Sequence, residues 1–321
     1  MARPRAIADV VEIPGPWQHR YVAANGARFH IAQAELPSDP SPGSPLVLML
    51  HGFPEFWWAW RAQLPALTEA GFRAAAMDLR GYGGSDKTPR GYDPVTLAQD
   101  VSGVIKALGE RTAVLVGHGW GGYVGWATAV LHQREVAALC SVAAPHPLSV
   151  LRGLLPGPAT RGRRRGSLSA LRHLLAMQTP MLPERRLADP SGRFLGAHLR
   201  AWSDPGSGFP DDEALSTYAA AFGLWPAPHC ALEYDRWLFR SRVRADGRHF
   251  DRAMRDPVTQ PALLVTGTAD PALSGPEVGL RSGAHVTGTF RAEEVAGAAH
   301  FPHEEQPAAF NDVLLSWLRS L

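Results

Sequence analysis

A series of short, continuously apolar runs separated by helical stretches constrains this chain more than any other feature. The runs are "PLVLML" (45–50), "RAAAMD" (73–78), "TAVLVG" (112–117), "VAALCSVA" (136–143) and "PALLVTG" (261–267), with "VTGTFRAEEV" (286–295) as a further strand. Strands that are apolar throughout, rather than alternating, must be covered on both faces, which is the environment of a parallel sheet. Helices predicted over about 58–70, 94–109 and 121–132 lie between them, and the alternation predicts an α/β sheet with helices on both faces. Ahead of them, strands over 18–23 and 27–34 flank Asn25-Gly26, a dipeptide suited to a tight hairpin turn. "EEQPAAFNDVLLSWLRSL" closes the chain as an amphipathic helix.

The pattern changes between about 146 and 250. There "LSALRHLLAMQT" and "DEALSTYAAAF" have helical character and little alternates like a strand. The expected organisation is one core formed by 1–145 and 251–321, with 146–250 as a helical insertion. The basic stretch "RGRRRG" (161–166) reads as a solvated loop. Lysine plus arginine exceed aspartate plus glutamate by 32 − 30 = 2, which gives no reason to expect a nucleic-acid partner. The N-terminal stretch lacks an apolar signal-like core, and no run approaches the roughly 18 apolar residues of a membrane span. Cys140 and Cys230 lie in apolar surroundings, as buried free thiols do. A cytoplasmic location is therefore expected, without membrane association. No metal or other cofactor is expected: Glu304 and Glu305, beside His303, read as the opening turn of the last helix. A homodimer is left open.

Ligands of open α/β sheets bind beyond the C-terminal ends of the strands, where the loops after 50, 117, 267 and 295 should converge. "GHGWG" (117–121) has the strand–turn–helix placement of a nucleophile elbow, with Gly119 where a reactive side chain is expected. Asp270 follows one late strand and His300 the next, giving the order nucleophile, acid, histidine. Singly, Asp270 reads equally as a loop cap and His300 as a structural histidine. Order and placement together favour a pair in which the carboxylate fixes the imidazole tautomer and leaves a base. "HGFP" (51–54) follows the first buried strand, so the N–H groups of Phe53 and Trp120 are candidates for an oxyanion hole. His51, Pro54 and Trp57 are candidates for the ligand wall. The nearby aromatics suggest an apolar small molecule, or else core packing.

These stretches carry a resemblance. "HGFPEFWWAWR", "DLRGYGGSDKTP", "VGHGWGGYVGW", "GTADPAL" and "HFPHEEQP" resemble the epoxide hydrolase and haloalkane dehalogenase branch of the α/β-hydrolases. "AMQTPMLPERRL" and "HCALEYDRW" are similar to parts of the epoxide hydrolase cap. The resemblance implies an α/β-hydrolase fold: a mostly parallel eight-stranded sheet with a helical cap inserted after strand 6. It also implies an aspartate at residue 119 that forms an ester with the epoxide, His300 to activate the hydrolytic water, and two cap tyrosines to donate to the epoxide oxygen. The tyrosine positions fall on or near His173 and on Asp235, with Tyr234 as the one-residue alternative.

Glycine cannot form the ester, so the usual covalent route is closed to this chain. Glycine does ease the positive φ of an elbow. Three readings follow: a hydrolase in which His300 and Asp270 activate water directly, a non-catalytic binder of a small apolar ligand, or an epoxide hydrolase inactivated at its nucleophile.

Overall fold

The computed structural model describes residues 7–35, 45–149, 175–271 and 276–321. The strands are β1 Trp17–Ala24, β2 Ala27–Ala34, β3 Leu46–Leu50, β4 Arg73–Met77, β5 Ala113–His118, β6 Val136–Val142, β7 Ala262–Gly267 and β8 Phe290–Val295. They form one eight-stranded sheet in the order β1-β2-β4-β3-β5-β6-β7-β8. β1 and β2 pair as the hairpin expected around Asn25-Gly26, and β2 runs antiparallel to β4. The other neighbouring pairs are parallel. Every residue of β3, β5 and β7 is buried, as unbroken apolar runs require.

Among the helices are α1 Ile7–Val11, α2 Gln63–Glu69, α3 Pro94–Ala107 and α4 Trp120–Leu131, then α5 Leu182–Leu187, α6 Arg193–Trp202, α7 Asp212–Phe222, α8 Ala227–Arg240 and α9 Ala245–Ala253, and finally α10 Pro276–Gly283, α11 Pro302–Glu305 and α12 Pro307–Leu318. α4 lies on β5 and β6 with α3 beside it, while α12 packs on α2 and β8. α5 to α9 fall between β6 and β7, within the stretch expected to be a helical insertion. The basic loop 161–166 and His173 lie outside the described residues. Among the described residues, no helix is long and apolar enough to cross a membrane.

Three expected elements are shorter or interrupted. The helix predicted over 58–70 is a 3-10 turn at Trp57–Trp60 followed by α2. Pro65 would press its ring on the Arg61 carbonyl in a continuous helix. The C-terminal helix is likewise divided, because Pro307 starts α12 and would meet the His303 carbonyl if α11 continued through it. β8 starts at Phe290 rather than 286: Val286 forms an isolated bridge with Val258, and Gly288 runs against the segment before β7, where a Cβ would lie 2.5 Å from the Thr259 carbonyl oxygen.

Register places the site. Leu50 is level with Gly117, His118 with Val142, and Gly267 with Val295. The loops after β3, β5, β7 and β8 therefore leave the sheet at the same edge.

Candidate active site

The turn from β5 into α4 is built from glycines that backbone contact demands. A Cβ on Gly117 would lie 2.4 Å from the Gly121 carbonyl carbon, and one on Gly121 would lie 2.1 Å from the Leu50 carbonyl oxygen. Gly122 is closed in by the Ala144 side chain, 2.6 Å from its would-be Cβ. Gly119 differs. It sits at φ 51° and ψ −114°, its N–H donates to the Val142 carbonyl at 3.0 Å, and its carbonyl accepts from Tyr123 N–H at 3.0 Å. Among the described residues beyond its chain neighbours, its would-be Cβ has one neighbour within 4 Å, the Gly52 Cα at 3.6 Å, an ordinary contact. The backbone is thus held in an elbow conformation with room for a side chain that glycine does not supply.

His300 and Asp270 meet as expected from their placement. His300 Nδ1 donates to Asp270 Oδ2 at 2.9 Å; the carboxylate is fully buried and the imidazole keeps a 16% exposed edge. This bond puts the proton on Nδ1 and leaves Nε2 as the basic nitrogen. The pair adjoins the elbow, because the His118 and His300 rings lie 5.1 Å apart.

Behind it lies a charged cluster that the sequence did not reveal. His118 Nδ1 is 2.7 Å from Glu55 Oε2, and its Nε2 is 2.9 Å from the His300 carbonyl oxygen. Both partners only accept, so His118 must carry both ring protons and is an imidazolium paired with a carboxylate. Burial alone would lower the His118 pKa, but the charge and hydrogen bond of Glu55, with the bond to the His300 carbonyl and the Asp270 charge, together raise it. Burial would likewise raise Glu55, but the charge of His118 and its hydrogen bond hold the carboxyl well below the usual carboxylate range. Glu55 Oε2 also accepts from Gly52 N–H at 2.9 Å, tying the ion pair to the loop after β3. His303 Nε2 lies 3.2 Å from Glu55 Oε1, and burial pushes its pKa down to about 4. Among the described residues, Glu55, His118 and His303 are the group whose donor atoms could surround a metal, all within 4.8 Å of one another. Because both His118 nitrogens are already engaged, the cluster as it stands is an ion pair with an added neutral imidazole.

The residues proposed for the ligand wall separate into two sets. His51 is fully buried: its Nε2 accepts from Leu79 N–H at 3.0 Å, so its proton is on Nδ1, which donates to the Gly52 carbonyl at 2.8 Å. It holds the loop rather than facing a ligand. Trp57 corrects the expectation more strongly. Its indole donates to the Val11 carbonyl at 2.8 Å and packs against Trp17, so it belongs to the core beneath the hairpin. Tyr234 is also committed elsewhere, its hydroxyl donating to the Arg80 carbonyl at 2.7 Å. Asp235, one residue on, turns to the elbow and accepts from Trp120 Nε1 at 3.1 Å. Phe53 and Pro54 are buried in the loop after β3, and the Phe53 ring meets cap residues His198 and Phe222 edge-on at 5.2 and 5.7 Å.

Glu304 and Glu305, expected in the opening turn of the last helix, lie in the short α11 ahead of it, and both have buried partners. Glu304 receives hydrogen bonds from Arg61 Nη1 at 2.7 Å and from the Tyr218 hydroxyl, and burial pushes its pKa up to about 7 against the pull of Arg61. Glu305 accepts from the N–H groups of Ala299, Phe301 and Asp204. Neither role has a local sequence signal, since the partners lie up to 243 residues away. Cys140 and Cys230 are free and buried, as expected.

Comparison with known proteins identifies the family. Residues 47–313 match the model of the alpha/beta hydrolase family. The chain belongs to that family. Relatives of this alpha/beta hydrolase include epoxide hydrolase A of Mycobacterium tuberculosis, 30% identical over 94% of this chain and 97% of the relative. Epoxide hydrolase 3 of Xenopus tropicalis is 32% identical over 94% of this chain and 78% of that protein. The crystal structure of epoxide hydrolase A from Mycobacterium thermoresistibile superposes with a TM-score of 0.75 at 28% identity, covering 94% and 98% of the two chains. The protein is an epoxide-hydrolase-like alpha/beta hydrolase by sequence and fold.

Proposed function

We propose that this chain hydrolyses a small apolar substrate, an epoxide or an ester, without a covalent aspartyl intermediate. Water occupying the space beside Gly119 gives a proton to His300 Nε2 as its oxygen bonds to the substrate carbon; the epoxide or ester C–O bond breaks, and the imidazolium, stabilised by Asp270, returns the proton to the departing oxygen. The N–H groups of Phe53 and Trp120 serve the negative charge that develops. No metal or other cofactor takes part. The observation that carries this reading is the intact His300–Asp270 bond of 2.9 Å beside an elbow whose central side-chain position, among the described residues, meets the Gly52 Cα at an ordinary 3.6 Å.

One observation favours a second reading, a binding protein for a small apolar ligand. The two positions that resemblance assigns to proton-donating cap tyrosines fall on or near His173 and on Asp235, and Tyr234 gives its hydroxyl to the Arg80 carbonyl. The test compares the natural chain, His300→Ala and Gly119→Asp on a panel of epoxides and esters, together with thermal shifts on ligand addition. Turnover in the natural chain that is lost in His300→Ala supports water activation. No turnover in the natural chain, with stabilisation by the same compounds, overturns it in favour of binding. Rapid epoxide turnover by Gly119→Asp alone identifies a nucleophile-deficient epoxide hydrolase whose cap is competent.

A further inference from the structure

The backbone of His300 is held from two sides. Its N–H donates to the carbonyl of Trp202, at the end of α6, at 3.0 Å, while its carbonyl accepts from His118 of β5 at 2.9 Å. The first partner lies in the inserted helical region and the second in the sheet. The Trp202 ring also meets the His300 ring edge-on at 4.9 Å.

Two more links join the same parts of the molecule. Asp204 N–H, two residues beyond Trp202, donates to Glu305 Oε2 at 2.6 Å; Glu305 Oε1 accepts from Ala299 N–H at 3.0 Å and Phe301 N–H at 2.9 Å, the residues on either side of His300. The Tyr218 hydroxyl of α7 donates to Glu304, whose other oxygen holds Arg61 of the core at 2.7 Å. Tyr218 is fully buried and the Glu304 side chain is 2% exposed, so neither link is a solvated surface pair. Three groups of the inserted region thus hold residues 300, 304 and 305.

We propose that the inserted helices are part of the mounting of His300: Trp202 directly, Asp204 through Glu305 and Tyr218 through Glu304 set where the imidazole stands relative to Asp270 and the elbow. Glu304 and Glu305 are positioning residues. Displacement of α6 and α7 loosens the His300–Asp270 pair, so the base is fully assembled only when the helices are seated over the sheet. A misplacement of about 1 Å in a reacting group can cost about 100-fold in rate, which makes such a mounting consequential. The proposal rests on the reading of His300 as the working base, but its geometry can be tested without turnover.

The test uses the full chain and two readouts: the low-field proton resonance of His300 Nδ1–H, identified by its loss in His300→Gln, and amide exchange over residues 299–306. Tyr218→Phe and Glu304→Ala are expected to shift or broaden that resonance and to speed exchange over 299–306 by about tenfold or more, the effect of losing a hydrogen bond to a charged group. β3 and β5 should keep their protection. Glu304→Gln, which still accepts from Tyr218, should recover most of the resonance. If Tyr218→Phe and Glu304→Ala lower the melting temperature yet leave the resonance and local exchange unchanged, the links are only packing and the proposal fails. Equal loss of protection across the whole sheet overturns it too. Should Glu304→Ala not fold, Tyr218→Phe carries the test alone, with the same expected and overturning results. Absence of turnover in every variant bears on the proposed reaction and leaves these readouts intact.

Discussion

The glycines of the elbow make opposite predictions within five residues of one another. Among the described residues, Gly119→Ala adds a Cβ that meets the Gly52 Cα alone, at 3.6 Å, so its cost is that of a side chain at φ 51°. Such strain is worth about 1–3 kcal/mol. Gly119→Asp bears the same strain, offset by about 0.3–1 kcal/mol because its carboxylate stands at the N-terminus of α4. Gly121→Ala instead drives a Cβ to 2.1 Å from the Leu50 carbonyl oxygen, in a strand that cannot retreat between β4 and β5. That substitution should cost upward of about 4 kcal/mol, or prevent folding. Urea unfolding of the variants under one buffer condition measures the differences. The expected order of stability is natural chain, Gly119→Asp, Gly119→Ala, and Gly121→Ala far below. If Gly119→Ala is as damaging as Gly121→Ala, the space at residue 119 is not there, and direct entry of water beside it loses its basis.

Other outcomes follow from the buried polar groups. His118→Gln leaves the Glu55 carboxylate buried without its cation and should lower stability by about 3–5 kcal/mol in urea unfolding. Tyr234→Phe removes only the bond to the Arg80 carbonyl, costing about 1 kcal/mol, and should leave any ligand-induced thermal shift unchanged. A changed shift would return Tyr234 to the ligand wall. Glu304 faces Arg61 and Tyr218, with Glu55 and Asp211 nearby, and its folded pKa is raised from 4.5 to about 7. Its contribution to stability is therefore fully present below 4.5 and lost as pH rises through about 7. Glu304→Gln should flatten that part of the stability profile measured by urea midpoints from pH 4.5 to 8, and an unaltered slope would show that Glu304 is not its source.

Much of the molecule could be read from local pattern. Strand cores such as "LVLML" are apolar at every position because both faces of a parallel sheet are covered, so the order and class of the elements follow from the sequence alone. The spacing of Gly117, Gly119 and Gly121 reports a backbone conformation, and the placement of Asp270 and His300 after successive strands predicts their meeting at one edge. Prolines 65 and 307 divide helices that periodicity alone runs together, since a missing N–H and a ring clash act against the apolar repeat.

What tertiary structure alone decided is the pairing of polar groups. Glu55, His118 and His303 come from three distant segments, and nothing in "HGFPE" or "HFPHEE" by itself says that one histidine is an imidazolium and another neutral. The aromatic run "FWWAW" could line a pocket or fill a core; packing sends Trp57 beneath the hairpin, Trp58 to Tyr218 and Trp60 to His303. Asp235 and Tyr234 differ by one residue on α8, and only the helix orientation sends the carboxylate to Trp120 and the phenol to Arg80. The physical reason is the same throughout. Backbone conformation and burial have periodic, local signatures, whereas a buried charge takes its protonation state from partners that folding alone brings within hydrogen-bonding distance.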